Sequence, residues 1–265
     1  MFDIGFDQAA GLRNDPVRGG AALMPVASPA QPARAYELLC TLAAHLTALG
    51  REAVIVDGTA SEASARRGND GSHLGLLHAL QDPSIAGLGR APEGAEWLVM
   101  PGALGLQALQ QTAAAAGAGV ALSRLLSPFG PDALVLLFAP AQHLAALLPD
   151  TPARVLVPVL NQPQSSIDAY GALKLLHTAG LSPVLAPLAQ GLENESVPLQ
   201  QVVDTVTDCA ARHLGLTVDT WGVSTWGLRV QECALGRQDR NDTHHGQRSA
   251  AAGERRVATA QPLWS

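Results

Sequence analysis

The chain has 265 residues, of which 47% are apolar, 15% charged and 4% aromatic, enough to build one α/β domain with a sizeable core and too apolar a composition for wholesale disorder. A net charge of −6 and a pI of about 5.7 argue against nucleic acid as the main partner, because phosphate neutralisation needs a basic surface. Apolar runs such as Ala133–Ala139 fall far short of the roughly 20 residues of a membrane span, and the acidic start Met1-Phe2-Asp3-Ile4 lacks the basic n-region of a secretory leader.

In chain order, residues 1–20 read as a short arm. Phe2, Phe6, Ala9, Ala10 and Leu12 could line one side of a helix too short to hold its shape unless it docks on something. An alternating rhythm follows. Ala22–Ala27 reads as a strand, and Ala33–Leu49 as a helix with Leu38, Leu39, Leu42, Leu46 and Leu49 at helical spacing before Gly50. Ala53–Asp57 reads as a buried strand, Ser61–Gly71 as a polar loop, His73–Gln81 as a short helix and Glu96–Met100 as a strand. Leu104–Ala116 is a helix, Ala133–Ala139 a strongly apolar strand and Gln142–Leu148 a short helix. Arg154–Val159, Ser165–Ala179, Ser182–Leu188 and Leu199–Leu214 continue as strand, helix, strand interrupted by prolines, and helix. Short apolar strands alternating with helices predict one doubly wound α/β domain over residues 21–235, its mainly parallel sheet covered on both faces. Trp221 and Trp226 are expected to close the edge of that sheet. Residues 236–265, rich in Arg, Asp, Asn, Gly and Ala, read as a disordered tail.

Single residues narrow the chemistry. Lys174 is the one lysine among 17 basic residues, so a mechanism that needs a lysine elsewhere is excluded. Cys40, Cys209 and Cys233 are scattered and odd in number, which fits a reducing cytoplasm, with Cys40 and Cys209 expected as small core residues. His244 and His245 lie in a low-complexity tail with no cysteine at ligand spacing, and His213 is far upstream, so no metal is expected. The stretch Gly222-Val223-Ser224-Thr225-Trp226-Gly227 departs from the Gly-x-Ser-x-Gly nucleophile elbow.

A strand, a loop, a helix and a second strand ending in Asp57 is the layout of the nucleotide-binding half of a P-loop protein. The loop here is Ser28-Pro29-Ala30-Gln31-Pro32-Ala33-Arg34-Ala35-Tyr36. A phosphate cradle needs glycines so that successive N–H groups can point inward, a lysine on the β/γ-phosphates and a small hydroxyl for magnesium. This loop has no glycine and no lysine, Pro29 and Pro32 have no N–H, and Tyr36 stands where the hydroxyl would be. No ATP or magnesium cofactor is expected. What remains is a helix N-terminus, a weak anion site that Arg34 would strengthen modestly.

From Ser28 to Asp57 the segment resembles, without gaps, the start of the MinD/ParA-type ATPases, whose loop reads Ser-Gly-Lys-Gly-Gly-x-Gly-Lys-Thr. On that resemblance Ala30 replaces the signature lysine, Ala35 the P-loop lysine and Tyr36 the magnesium-binding threonine, while Gly50 and Asp57 are retained and Thr59 replaces a second aspartate. Ala133–Pro140 resembles the Walker B strand with Leu137 or Phe138 in place of its carboxylate. Within that family, Asp7-Gln8-Ala9-Ala10-Gly11-Leu12-Arg13 is similar to the N-terminal Asp-Gln-Ala-x-x-Leu-Arg motif of the FlhG/FleN regulators of flagellar number. The stretch from Val159 to Leu176, with Ser165-Ser166-Ile167-Asp168-Ala169-Tyr170 and Lys174, is similar to their Thr-Ser-Ile-x-Asp-Ala-Tyr-x-x-x-Lys segment.

The resemblance implies a MinD-like P-loop fold and a cytoplasmic regulator of flagellar biogenesis, placed at the cell pole or flagellar base through partners. It implies an arm that contacts an FlhF-type signal-recognition GTPase, with Gln8 near the GTP site, Asp7 and Arg13 anchoring the arm and Leu12 packing on the partner. A homodimer is compatible with it. The family's C-terminal amphipathic membrane helix has no counterpart in the tail, so membrane contact is expected only indirectly. Two other readings stand beside it. One is an ATP-dependent switch with a rebuilt site in which Arg34 substitutes for lysine, although a planar guanidinium suits a compact phosphate cradle poorly. The other is a structural scaffold with no GTPase partner. Ser165 or Ser166 is expected to cap its helix, with Leu173, Leu175 and Leu176 packed, and Asp57 to act as a loop anchor.

Overall fold

The computed structural model describes residues 20–62, 74–91, 95–188 and 198–236. The arm motif Asp7–Arg13, most of the expected polar loop, and His244, His245 and the tail beyond Gly236 lie outside the described residues. Among the described residues no helix is long and apolar enough to cross a membrane.

Among the described residues eight strands form one sheet: β1 (Ala22–Ser28), β2 (Glu52–Asp57), β3 (Leu98–Pro101), β4 (Ala133–Pro140), β5 (Arg154–Leu160), β6 (Ser182–Leu188), β7 (Asp219–Thr220) and β8 (Leu235–Gly236). The order across the sheet is β3-β2-β4-β1-β5-β6-β7, all parallel, and β8 adds antiparallel to β1, with Leu235 opposite Leu23 and Gly236 opposite Ala22. The central strand β4 reads Ala-Leu-Val-Leu-Leu-Phe-Ala-Pro and is buried on both faces from Ala133 to Ala139. An unbroken apolar run of that kind is what a parallel strand between two helix layers requires.

The helices are α1 (Pro32–Ala48), α2 (Leu76–Gln81), α3 (Ala103–Ala116), α4 (Ala118–Leu126), α5 (Ala141–Leu147), α6 (Pro163–Thr178), α7 (Leu199–Leu214) and α8 (Trp226–Cys233). They segregate by face. Buried residues of α2 through α7 pack with Val54, Val56, Val135, Leu137, Val155 and Val157 in one apolar layer. Helices α1 and α8 pack with Met24, Val26, Ile55, Leu136, Phe138, Leu156 and Val184 in the other. The odd and even positions of each strand thus feed opposite layers, as the two-residue period of a strand dictates.

Within the described residues the expected strands and helices are present, with differences, and Gly236, expected to open the tail, instead lies in β8. Helix α4 follows α3 after Gly117, whose φ of 90° breaks the helix; glycine reaches that backbone region without steric cost. Strand β6 runs unbroken through Pro183 and Pro187. Leu185 offers its carbonyl to the Trp221 N–H at 2.9 Å on the β7 side, so the alternate positions 183 and 187 turn their missing N–H groups toward the same side. There β7 pairs only with Val184 and Leu185, and proline is tolerated at such a margin.

Trp221 does lie beside the edge strand β7, where the Arg154 guanidinium sits 5.7 Å above its ring and binds Asp219 at 2.7 Å. Trp226 does not close the edge. It is wholly buried in the α1-side layer and opens α8, its indole N–H donating to the Trp221 carbonyl at 2.6 Å. Cys40 and Cys209 are half-buried rather than core, and Leu175 is exposed.

Candidate functional site

The chain leaves β1 through α1 toward β2, and leaves β4 through α5 toward β5 on the other side of β1. Connections that diverge in this way open a crevice at the carboxyl ends of the strands, where doubly wound proteins place ligands. The crevice here is bounded by Ser28 and the start of α1, by Asp57 at the end of β2, by Phe138–Pro140 at the end of β4 and by Asn161 after β5. The candidate residues Ser28, Ala30, Arg34, Ala35, Tyr36 and Asp57 therefore all fall on this edge.

The Ser28 hydroxyl donates to the Pro29 carbonyl at 3.2 Å, a local bond within the turn. Helix α1 starts with Pro32 in its first turn and no side-chain cap at Gln31, so the fixed φ of proline sets the entry. Ala30 is exposed, whereas Ala35 is wholly buried. The side chain of Arg34 lies outside the described residues. Tyr36 is half-buried, and its ring meets the wholly buried Phe138 edge-on, with centroids 6.1 Å apart. That arrangement suits the quadrupoles of both rings. Leu137 and Phe138, one of which the resemblance sets in place of a carboxylate, are fully buried in opposite apolar layers.

Burial pushes the Tyr36 phenol up from 10.0 to about 12, with the negative charge of Asp57 and then Cys40 adding to the shift. The folded value is above the unfolded one. Stability that depends on neutral Tyr36 is therefore intact below the unfolded value of 10.0 and is lost as pH rises through about 12. The expected result is a tyrosinate absorbance step near pH 12 that Tyr36→Phe removes; a Tyr36 step at the ordinary value of 10.0 in the folded protein would contradict the packed ring. The Cys40 thiol is also pushed up, by burial first and by Glu37 second.

Asp57 is engaged by its own turn. Its Oδ1 accepts from the Thr59 N–H at 2.9 Å and from the Thr59 hydroxyl at 2.6 Å. Its carbonyl accepts from Gly102 N–H at 2.8 Å, and the next residue, Gly58, donates to the Phe138 carbonyl at 2.7 Å. A Cβ on Gly58 would stand 2.9 Å from Leu106 and 3.0 Å from that carbonyl, so the turn after β2 has no room for a side chain. The Asp57 carboxylate thus anchors its own turn through Thr59, while backbone bonds of Asp57 and Gly58 tie that turn to Gly102 and to Phe138 of β4.

A second carboxylate, which sequence reasoning left inside an undifferentiated polar loop, does comparable work. Glu62 accepts from the Leu77 N–H at 2.8 Å with one oxygen and from the Gly105 N–H at 2.6 Å with the other. One side chain therefore satisfies open N–H groups in the first turns of both α2 and α3, where a negative charge is also favoured by the helix dipole. The partners are 15 and 43 residues away, so no local signal marks the pair. After β5, Ser165 accepts from the Leu160 N–H at 2.8 Å and is buried, while Ser166 donates to the Pro163 carbonyl at 2.8 Å. Neither caps α6, because the helix begins two residues before Ser165, at Pro163.

The edge therefore holds hydroxyls and carboxylates bonded to the backbone. Among the described residues no three His, Cys, Asp or Glu side chains gather as a metal site. A pocket of about 430 Å³ opens elsewhere, at the amino ends of β5 and β6, lined by Arg154, His177, Leu181, Ser182, Leu216 and Asp219 among others.

No protein-family model and no curated protein matches the chain. Solved structures resemble it. One is an ATP complex of a single-residue variant of McdA from Cyanothece, with 12% identity, a TM-score of 0.49 and coverage of 91% of this chain and 100% of that one. The cell division ATPase MinD of Pyrococcus furiosus is similar at 17% identity and a TM-score of 0.44, over 70% of this chain and 79% of its own. A plasmid partition protein from Borrelia burgdorferi is similar at 12% identity and a TM-score of 0.47, over 80% and 97%. At these identities and scores no activity, ligand or partner passes from them to this chain.

Proposed function

We propose that this chain is an FlhG-like regulator of flagellar number or placement that has lost ATP binding and acts by contact with an FlhF-type GTPase. The observation that carries the reading is the crevice itself. The loop Ser28–Tyr36 has no glycine and no lysine, Ala35 is buried where a P-loop lysine would stand, and Tyr36 closes edge-on against Phe138. Backbone N–H groups cannot wrap a triphosphate around Pro29 and Pro32. Without the nucleotide, a cycle of ATP-driven dimerisation and membrane attachment has no switch, and regulation falls to binding.

The partner and the process are supported by the sequence, through the Asp7–Arg13 motif and the segment Val159–Leu176. In this reading Asp7 and Arg13 seat the arm on the GTPase, Leu12 packs against it, and the Gln8 amide orients the water that attacks the γ-phosphate, as glutamines do in GTPase sites. The chemistry belongs to the partner's site. Membrane and pole are reached through that partner.

The test is GTP hydrolysis by the cognate FlhF-type GTPase with and without this protein, beside a Gln8→Ala variant. Stimulation that the variant loses is the expected result. A folded protein that leaves the GTPase rate unchanged would overturn the reading and leave a scaffold without a GTPase partner.

A further inference from the structure

At the margin of the sheet opposite the crevice, the strand starts bring an arginine and an aspartate together. In the register of the sheet Arg154, the first residue of β5, stands beside Ser182, the first of β6, and Val184 stands beside Asp219, the first of β7. Positions 182 and 184 share a face, because side chains alternate along a strand, and Val184 lies in the α1-side layer. The side chains of Arg154, Ser182 and Asp219 therefore share that face, and all three line the pocket of about 430 Å³. A pocket of that volume is within the range usual for small-molecule sites.

Arg154 is held from two sides. Its guanidinium lies 5.7 Å above the ring of the buried Trp221, and its Nη1 donates to Asp219 Oδ2 at 2.7 Å. A guanidinium carries five N–H donors in a planar fork, and among the described residues the Arg154 side chain makes only this one hydrogen bond. Asp219 Oδ1 accepts none there. His177, Ser182 and Thr217 also line the pocket, and among the described residues their side chains make no hydrogen bond either. Val184 and Leu216 give it apolar wall.

Unused donors on a cation thus stand beside an unused acceptor on an anion. A ligand that is only an anion meets Asp219 as a like charge, and one that is only a cation meets Arg154, so each is disfavoured. A molecule with both charges on neighbouring groups meets both partners. We propose that this pocket binds a free α-amino acid. Its carboxylate takes the free edge of the Arg154 fork, the geometry that suits paired oxygens. Its ammonium donates to Asp219, and its side chain runs along Val184 and Leu216. Ser182, Thr217 and His177 offer further polar contacts. Because Trp221 and Asp219 already hold the guanidinium, binding costs little further ordering of that side chain. The site is at the other end of the strands from the Ser28–Tyr36 loop, and the proposal is independent of the flagellar reading.

Isothermal titration calorimetry of the full chain with each standard L-amino acid tests it. The expected result is saturable, one-site binding of at least one of them with a dissociation constant below about 1 mM. For that amino acid, the analogue without the amine and the analogue without the carboxylate should each bind at least about tenfold more weakly to the wild-type chain. Asp219→Asn and Arg154→Lys should weaken the amino acid by about as much with an unchanged thermal transition, the second because a point charge replaces the fork. No saturable binding of any standard amino acid at about 10 mM would overturn the proposal. So would an analogue lacking one charge that binds as tightly as the amino acid, or an affinity indifferent to Asp219→Asn.

Discussion

Replacing Phe138 by aspartate, which would return a carboxylate to the end of β4, is expected to abolish folding rather than restore nucleotide chemistry. Phe138 is wholly buried between Val26 of β1 and Asp57 of β2 in the register of the sheet. Removing a buried phenylalanine alone costs about 3–5 kcal/mol. The new carboxylate would lie in the apolar layer under α1, near Asp57 and the Tyr36 ring, with no metal or basic partner described there, and an unpaired buried charge adds several kcal/mol more. The sum is comparable with the roughly 5–15 kcal/mol that holds a whole domain together. The measurement is soluble yield and a thermal transition by circular dichroism. A variant with a cooperative transition close to wild type would show that the end of β4 is more open than the packing implies.

Trp226→Ala is expected to be the most damaging simple truncation in the α1-side layer. Trp226 is the largest of the fully buried side chains and opens the short helix α8. Its neighbour Gly227 lies so close to α1 that a Cβ would stand 3.1 Å from both His45 and Leu49, so α8 has little freedom to collapse into a void. A cavity that cannot close keeps the full penalty, about 3–5 kcal/mol for a tryptophan. The Trp221 carbonyl also loses the indole N–H that binds it at 2.6 Å, which adds the cost of an unmet buried acceptor. The urea midpoint should fall accordingly with little change in slope. A loss below about 1 kcal/mol would mean that α8 repacks and that the C-terminal segment is an optional cover.

The periodic elements were legible because each carries its own signal. The run Ala133–Ala139 reads as a strand buried on both faces, and the leucines of α1 lie at helical spacing. The missing pieces are those whose structure depends on distant chain. Helix α8 has eight residues with only Trp226, Gly227 and Val230 buried, and its glycine is there for a close approach to α1 that no local pattern announces. Strand β7 is two residues long and exists because Leu185 offers a carbonyl to the backbone that follows it. At the crevice, the absence of glycine and lysine from Ser28–Tyr36 could be read directly. The Tyr36–Phe138 contact joins positions far apart in the chain, and the two helix starts held by Glu62 belong to separate stretches, so both needed the fold. The arm residues Asp7, Gln8, Leu12 and Arg13 remain an inference from sequence, outside the described residues.

The central claim is the proposal that this crevice, at the strand ends where doubly wound proteins place ligands, does not bind ATP. Isothermal titration calorimetry of the full-length protein with ATP and magnesium tests it most directly. The account predicts no saturable heat with or without magnesium. Saturable, magnesium-dependent ATP binding would contradict it and require the Ser28–Tyr36 loop to form a working phosphate site.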